Sequence, residues 1–181
     1  LHAGGVFDLV AHAGAAALGH AHADALNRRT GVGEDRANAL GGGVGLACAC
    51  DIAVAADNAS FSVSEAKFGI LPAVIGPYVT NAVGKRQALR LALTTARIGA
   101  AEALAIGLVQ QVCTLEALDA AVDAVVSELL AGGPNAQREI KALFAQLEVG
   151  PITPEVRELS AQTIARVRGT DEAREGFAAF L

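Results

Sequence analysis

Three consecutive glycines, Gly41, Gly42 and Gly43, stand directly before a short run of small apolar residues, in the string ALGGGVGLACAC over 39–50. Such a string suits a tight backbone turn feeding a buried helix, and with no Cβ in the way a ligand can approach the backbone closely. Downstream, DIAVAA at 51–56 and ASFSV at 59–63 read as two strands separated by a turn at Asp57-Asn58. Glu65 falls just past the second run. A helix mouth offers unpaired N–H groups and a positive dipole end to a developing oxyanion, and a carboxylate in an apolar stretch is suited to proton transfer. On these residues alone the triplet also reads as a packing or turn device.

Residues 9–29 are alanine-rich with apolar residues near helical spacing, which predicts one helix or a broken pair, and 30–38 read as loop. From Pro77 the pattern turns helical, with breaks at Gly84, Arg97-Ile98-Gly99, Ile106-Gly107, Gly132-Gly133-Pro134, Gly150-Pro151 and Gly169. The clearest helices are expected over 115–130 and 135–147, with a short strand over 109–113. Two further helices have start signals at Thr153-Pro154 and Thr170-Asp171.

At 181 residues the chain can hold one sizeable core without metal or disulfide staples. Its net charge of -5 and its lack of any Lys/Arg run argue against nucleic-acid binding, which needs a concentrated basic surface. No apolar run reaches the ~18 residues of a membrane span. Cys48, Cys50 and Cys113 are odd in number and suit no disulfide framework, which points to a reducing, cytoplasmic setting. The sequence has no Met, even at position 1, and is expected to begin inside a longer gene product or to lack residues.

The strings ALGGGVGLACACDIAVAADNASFSVSEAKFGILPAVIGPYV and GKRQALRLALTTARIGAAEALAIGLVQQV, followed by EAREGFAAFL, closely resemble the enoyl-CoA hydratase/isomerase (crotonase) superfamily from about Ala39 to the end. The resemblance implies an α/β crotonase-like fold of stacked β-β-α turns, with a core over 1–114, incomplete at its N-terminal part, and a C-terminal helical trimerisation region over 115–181. It implies an acyl-CoA substrate, coenzyme A arriving as part of it, no further cofactor and no metal. A homotrimer or a dimer of trimers is implied as the assembly, with no nucleic-acid or membrane partner.

In that family two backbone N–H groups hold the thioester oxygen. Gly42 matches one, and Gly5, in a poorer match where Val6 replaces the usual Asp, is the candidate for the other. Glu65 matches the catalytic carboxylate. The second catalytic Glu of two-carboxylate hydratases is replaced by Gly45, so Glu65 would serve both proton transfers of hydration, or the single transfer route of a 3,2-enoyl-CoA isomerase. Gly45, Pro72 and Tyr78 are acyl-pocket candidates. The string LPAVIGPYV at 71–79 is similar to a bacterial subgroup with methylglutaconyl-CoA hydratase-like members, which favours hydration of short or branched 2-enoyl-CoA. The family's strand before the glycines has no counterpart, Gly33-Glu34-Asp35-Arg36 standing in its place, so an inactive homologue is the competing expectation.

The other polar residues have plainer readings. His2, His12, His20 and His22 do not form a tetrahedral set at helical spacing. Cys48 and Cys50 read as compact apolar filler, Asp51 as structural, Glu34 and Asp35 as solvated, and Glu102 as a solvated or capping residue.

Overall fold

The computed structural model describes residues 7–10 and 38–180. Two compact units divide between Val126 and Ser127. The first carries all six strands found among the described residues, in two three-stranded sheets. In one, β3 (Ile52–Ala56) lies between antiparallel β1 (Phe7–Val10) and parallel β6 (Gln111–Cys113). In the other, β4 (Ser60–Ser62) lies between parallel β2 (Asn38–Leu40) and antiparallel β5 (Ile98–Gly99).

The Asp57-Asn58 turn therefore links two sheets rather than closing a hairpin. Its bend is closed by the Ala59 N–H donating to Ala56 O at 3.0 Å. The Asp57 N–H donates to Cys113 O at 2.7 Å, which extends the β3–β6 ladder by one bond. Both strands are short, with almost every side chain buried, so neither shows the alternation that marks a half-exposed strand.

Two expectations need correction. A strand does precede the glycine triplet: Asn38, Ala39 and Leu40 pair in register with Ser60, Phe61 and Ser62. Three residues are too few for a periodic signal, and it is pairing with β4 that makes them a strand. Leu9 and Val10, expected to open a helix, close β1 instead. The rest of that expected helix lies outside the described residues.

The helices follow the breaks in the sequence. α1 (Gly42–Cys48) turns Val44 and Ala47 inward, three residues apart on one face. α2 (Gly76–Thr94) is kinked at Gly84, where φ 74 and ψ 157 lie outside helical space. α3 (Ala100–Ala105) and α4 (Leu118–Leu130) follow, the latter after a 3-10 turn at Leu115–Ala117. Phe61, Leu91, Leu108, Val44 and Val109 form the fully buried centre of the first unit, where each such side chain contributes roughly 1.5–3 kcal/mol. Val54, Ala56 and Leu118 form a smaller cluster on the other face of β3.

In the second unit lie α5 (Pro134–Phe144), α6 (Pro154–Arg168) and α7 (Asp171–Phe180). Thr153 caps α6 by accepting from the Val156 N–H at 3.3 Å, and Thr170 accepts from the Ala173 N–H at 3.2 Å, as the start signals anticipated. Glu172 reaches the first turn of α5, accepting from the Asn135 and Ala136 N–H groups at 3.0 and 2.8 Å. Arg166 pairs with Glu139 through two bonds, at 2.8 and 2.7 Å. No helix among the described residues is long and apolar enough to cross a membrane.

Candidate functional site

The β2–β4 ladder brings the glycine turn and the carboxylate together. Beyond the Leu40–Ser62 pair, the Gly41 N–H donates to Ser62 O at 2.9 Å. The two chains then part. Gly41 turns with φ 51 and ψ -112, angles open to glycine, and its carbonyl accepts from the Val44 and Gly45 N–H groups at 3.0 and 3.3 Å. Gly42 is exposed and is the first residue of α1, so its N–H has no acceptor within the helix.

On the other chain, β4 ends at Ser62, and Ser64 leads into a 3-10 turn over Glu65–Phe68, closed by Gly69 in the left-handed region with φ 70. The buried Ser62 hydroxyl donates to Thr95 O at 3.1 Å, tying the end of β4 to the C-terminus of α2. The Glu65 carboxylate lies over Gly41. A Cβ built there would stand 3.6 Å from Glu65 Oε1 and 3.7 Å from Ser64 Oγ. Glu65 Oε2 is buried and has no hydrogen-bond partner among the described residues. An unpaired buried acceptor is costly, and the other oxygen of the same carboxylate, Oε1, is the one beside Gly41.

Gly45 is buried on the inner side of α1, against Ile75. A Cβ at this position would stand 2.9 Å from Ile75 Cβ and closer still to its Cγ2, so no side chain fits at residue 45 unless Ile75 moves. Pro72 lines an apolar cavity of about 260 Å³ under α2, with Val63 and Val79 among its other walls. Neither Gly45 nor Tyr78 is among the lining residues, and Tyr78 is half exposed rather than packed in the core. Gly5, all four histidines, Glu34 and Asp35 lie outside the described residues.

Burial pushes the Cys48 thiol up to about 11, with Cys50 adding to the shift, and none of the three cysteines forms a disulfide. Glu102 pairs with Arg90 at 2.7 Å across the surface, a contact that the sequence reading missed. Among the described residues no group of three or more His, Cys, Asp or Glu side chains could hold a metal ion. Ile75 was missed too. Its role at Gly45 had no signal beyond the apolar string that contains it.

A family model for enoyl-CoA hydratase/isomerase matches residues 36–181, the stretch that builds the turn, the carboxylate and the helical second unit. The chain belongs to the enoyl-CoA hydratase/isomerase family. It is 36% identical over 147 residues to a probable enoyl-CoA hydratase of Mycobacterium leprae, covering 79% of this chain and 56% of that protein. It is likewise 36% identical over 146 residues to a crotonyl-CoA hydratase of Syntrophomonas wolfei, covering 79% and 55%. The crystal structure of an enoyl-CoA hydratase from Shewanella pealeana superposes with a TM-score of 0.75 at 40% identity, covering 80% of this chain and 54% of that one. The α/β arrangement is therefore the crotonase fold. This enoyl-CoA hydratase/isomerase family chain spans about half the length of the curated relatives it matches.

Proposed function

We propose that the chain serves the reversible hydration of a short or branched 2-enoyl-CoA thioester, with Glu65 as its proton-transfer group. The observation that carries this reading is the carboxylate lying over the glycine turn, 3.6 Å from where a Gly41 Cβ would stand. In the proposed reaction the thioester oxygen accepts from the Gly42 N–H, with the Gly5 N–H as the proposed second donor. Water attacks C3 as Glu65 takes its proton, and the alkene electron pair moves through C2 to leave an enolate oxygen at those donors. Glu65 then returns the proton to C2. The atoms of one water are gained and Glu65 ends as it began.

Coenzyme A enters as part of the substrate, and no metal or redox cofactor takes part in this scheme. Self-association as a trimer or a dimer of trimers goes with the reading, supported by apolar residues that the second unit leaves exposed, among them Phe144, Ile164 and Phe177. A cytoplasmic setting is supported by the three cysteines, none of which is in a disulfide. The packing of Gly45 on Ile75 favours a second reading, 3,2-enoyl-CoA isomerisation, because moving a proton from C2 to C4 needs one carboxylate only.

The test is the loss of conjugated thioester absorbance from crotonyl-CoA and 3-methylglutaconyl-CoA with the full-length gene product, with products identified by mass. Addition of water that falls about 10²–10⁴-fold in Glu65→Gln supports hydration. No added water, but conversion of a 3-enoyl-CoA, selects isomerisation. Turnover of neither overturns both.

A further inference from the structure

We propose that Ser64 is a second residue that holds the attacking water: its hydroxyl oxygen accepts one O–H of that water while Glu65 takes the proton of the other. This rests on the hydration reading above and adds a residue to it. The observation behind it is a juxtaposition at Gly41. A Cβ there would stand 3.7 Å from Ser64 Oγ and 3.6 Å from Glu65 Oε1, so a hydroxyl and a carboxylate oxygen border the same space on one side of the glycine turn. Gly41 itself puts no side-chain atom into that space. Next along the chain is Gly42, whose N–H is the proposed oxyanion donor.

The Ser64 hydroxyl is not used by the local fold. The residue holds the N-cap position of the 3-10 turn over Glu65–Phe68, where a serine ordinarily accepts from an N–H of the first turn, yet its side chain caps nothing. The Lys67 N–H donates to the Ser64 carbonyl instead, at 3.1 Å. Two residues earlier the Ser62 hydroxyl is committed to Thr95 O, also at 3.1 Å. Ser64 Oγ makes no hydrogen bond among the described residues.

Hydration needs a second acceptor at such a place. A water attacking C3 presents a lone pair to the carbon, so both of its O–H bonds point elsewhere, and a water held at a polar site makes about three hydrogen bonds. One O–H goes to Glu65 as the base. An acceptor for the other fixes the orientation of the nucleophile. That acceptor cannot come from residue 45, where no side chain fits unless Ile75 moves. Ser64 is half-buried beside Glu65 in the chain, and a hydroxyl carries two acceptor lone pairs. Its own proton stays in place throughout: the proton that moves is the water's, to Glu65 and then to C2, as the O–C3 bond forms and the alkene pair shifts toward the thioester oxygen.

The test follows two reactions of the full-length gene product side by side: hydration of crotonyl-CoA, and deuterium exchange at C2 of butyryl-CoA in heavy water, which calls on Glu65 but adds no water. In Ser64→Ala, kcat for hydration is expected to fall about tenfold with KM within about twofold, while exchange stays within about twofold of wild type. Ser64→Thr is expected to recover most of the lost rate, and Ser64→Val, of nearly the same shape as the threonine variant, none of it. Hydration undiminished in Ser64→Ala, or equal in the threonine and valine variants, overturns the role of Ser64 and leaves the thioester reading standing. An equal loss of hydration and exchange in Ser64→Ala also overturns it, because the fault then lies in Glu65 or the glycine turn. Wild type that exchanges C2 protons without adding water removes hydration and the role of Ser64 together. Wild type that does neither overturns the thioester reading itself.

Discussion

Ile75 occupies the space that any side chain at Gly45 would need, with its Cβ 2.9 Å from where a Cβ at residue 45 would stand. Ile75 is buried and β-branched, so its χ1 is restricted and it cannot swing aside freely. Gly45→Ala is therefore expected to cost about 1–3 kcal/mol through overpacking. Ile75→Ala alone leaves a cavity and is expected to cost about 2–5 kcal/mol. In the double variant the new methyl enters the vacated space, so denaturant unfolding should give a combined cost below the sum by about 1 kcal/mol or more. Additive costs would show that the two residues do not compete for one space.

Gly41→Ala separates backbone strain from crowding. The added methyl would make ordinary contacts at 3.6 Å with Glu65 Oε1 and 3.7 Å with Ser64 Oγ. The penalty lies in φ 51 and ψ -112, which an alanine can hold only at about 1–3 kcal/mol. If the turn relaxes, the Gly42 N–H moves from its place, and turnover should fall about 10²-fold, the usual effect of losing one oxyanion donor. Steady-state kinetics equal to wild type would remove Gly42 from the proposed donors.

Gly84→Ala is expected to destabilise by about 1–3 kcal/mol, read as a lowered denaturant midpoint. The cause is wholly in the backbone: φ 74 and ψ 157 fall in a region that is essentially glycine's own, while a Cβ there would meet nothing within 4 Å. An unchanged midpoint would mean that the kink can be straightened without loss.

Glu172 gives the second unit a pH dependence. Bonds from the Asn135 and Ala136 N–H groups, first of all, hold its carboxyl below the ordinary glutamate value, with Arg138 helping. A depressed folded pKa means that the stabilising effect is complete above the unfolded value of about 4.3 and is lost as pH falls through the lower, folded value. Hydrogen exchange at Asn135 and Ala136, corrected for the intrinsic pH effect, should therefore lose protection on acidification below that range. Glu172→Gln should show weaker protection already at neutral pH and little further change. A wild-type profile that stays flat would rule out this cap as the pH-dependent element.

The placement of the candidate site residues in their elements was legible because it follows strong local signals. A glycine triplet, a carboxylate just past a strand and a Thr-Pro helix start each act within a few residues, and Gly42, Glu65 and Thr153 stand where those signals put them. What escaped the sequence depends on partners distant along the chain. β2 is a strand only through β4, Glu102 finds Arg90 from a different helix, and the fit of Ile75 on Gly45 joins residues 30 positions apart. The runs β3 and β4 follow one another in sequence, yet they belong to different sheets, because pairing is decided by which edges meet and not by proximity in sequence.

The ladder between β2 and β4 also acts as a gauge. Because Gly41 is bonded to Ser62, the spacing between the glycine turn and the carboxylate is fixed by the two or three residues that follow each strand. An extra residue at the exposed Asp57-Asn58 turn could be taken up as a longer bend, leaving the register intact. The same insertion between Ser62 and Glu65 would push the carboxylate along by about 3.3 Å and turn it to the opposite face. Evolution can thus lengthen this chain freely on one side of a three-residue strand and hardly at all on the other.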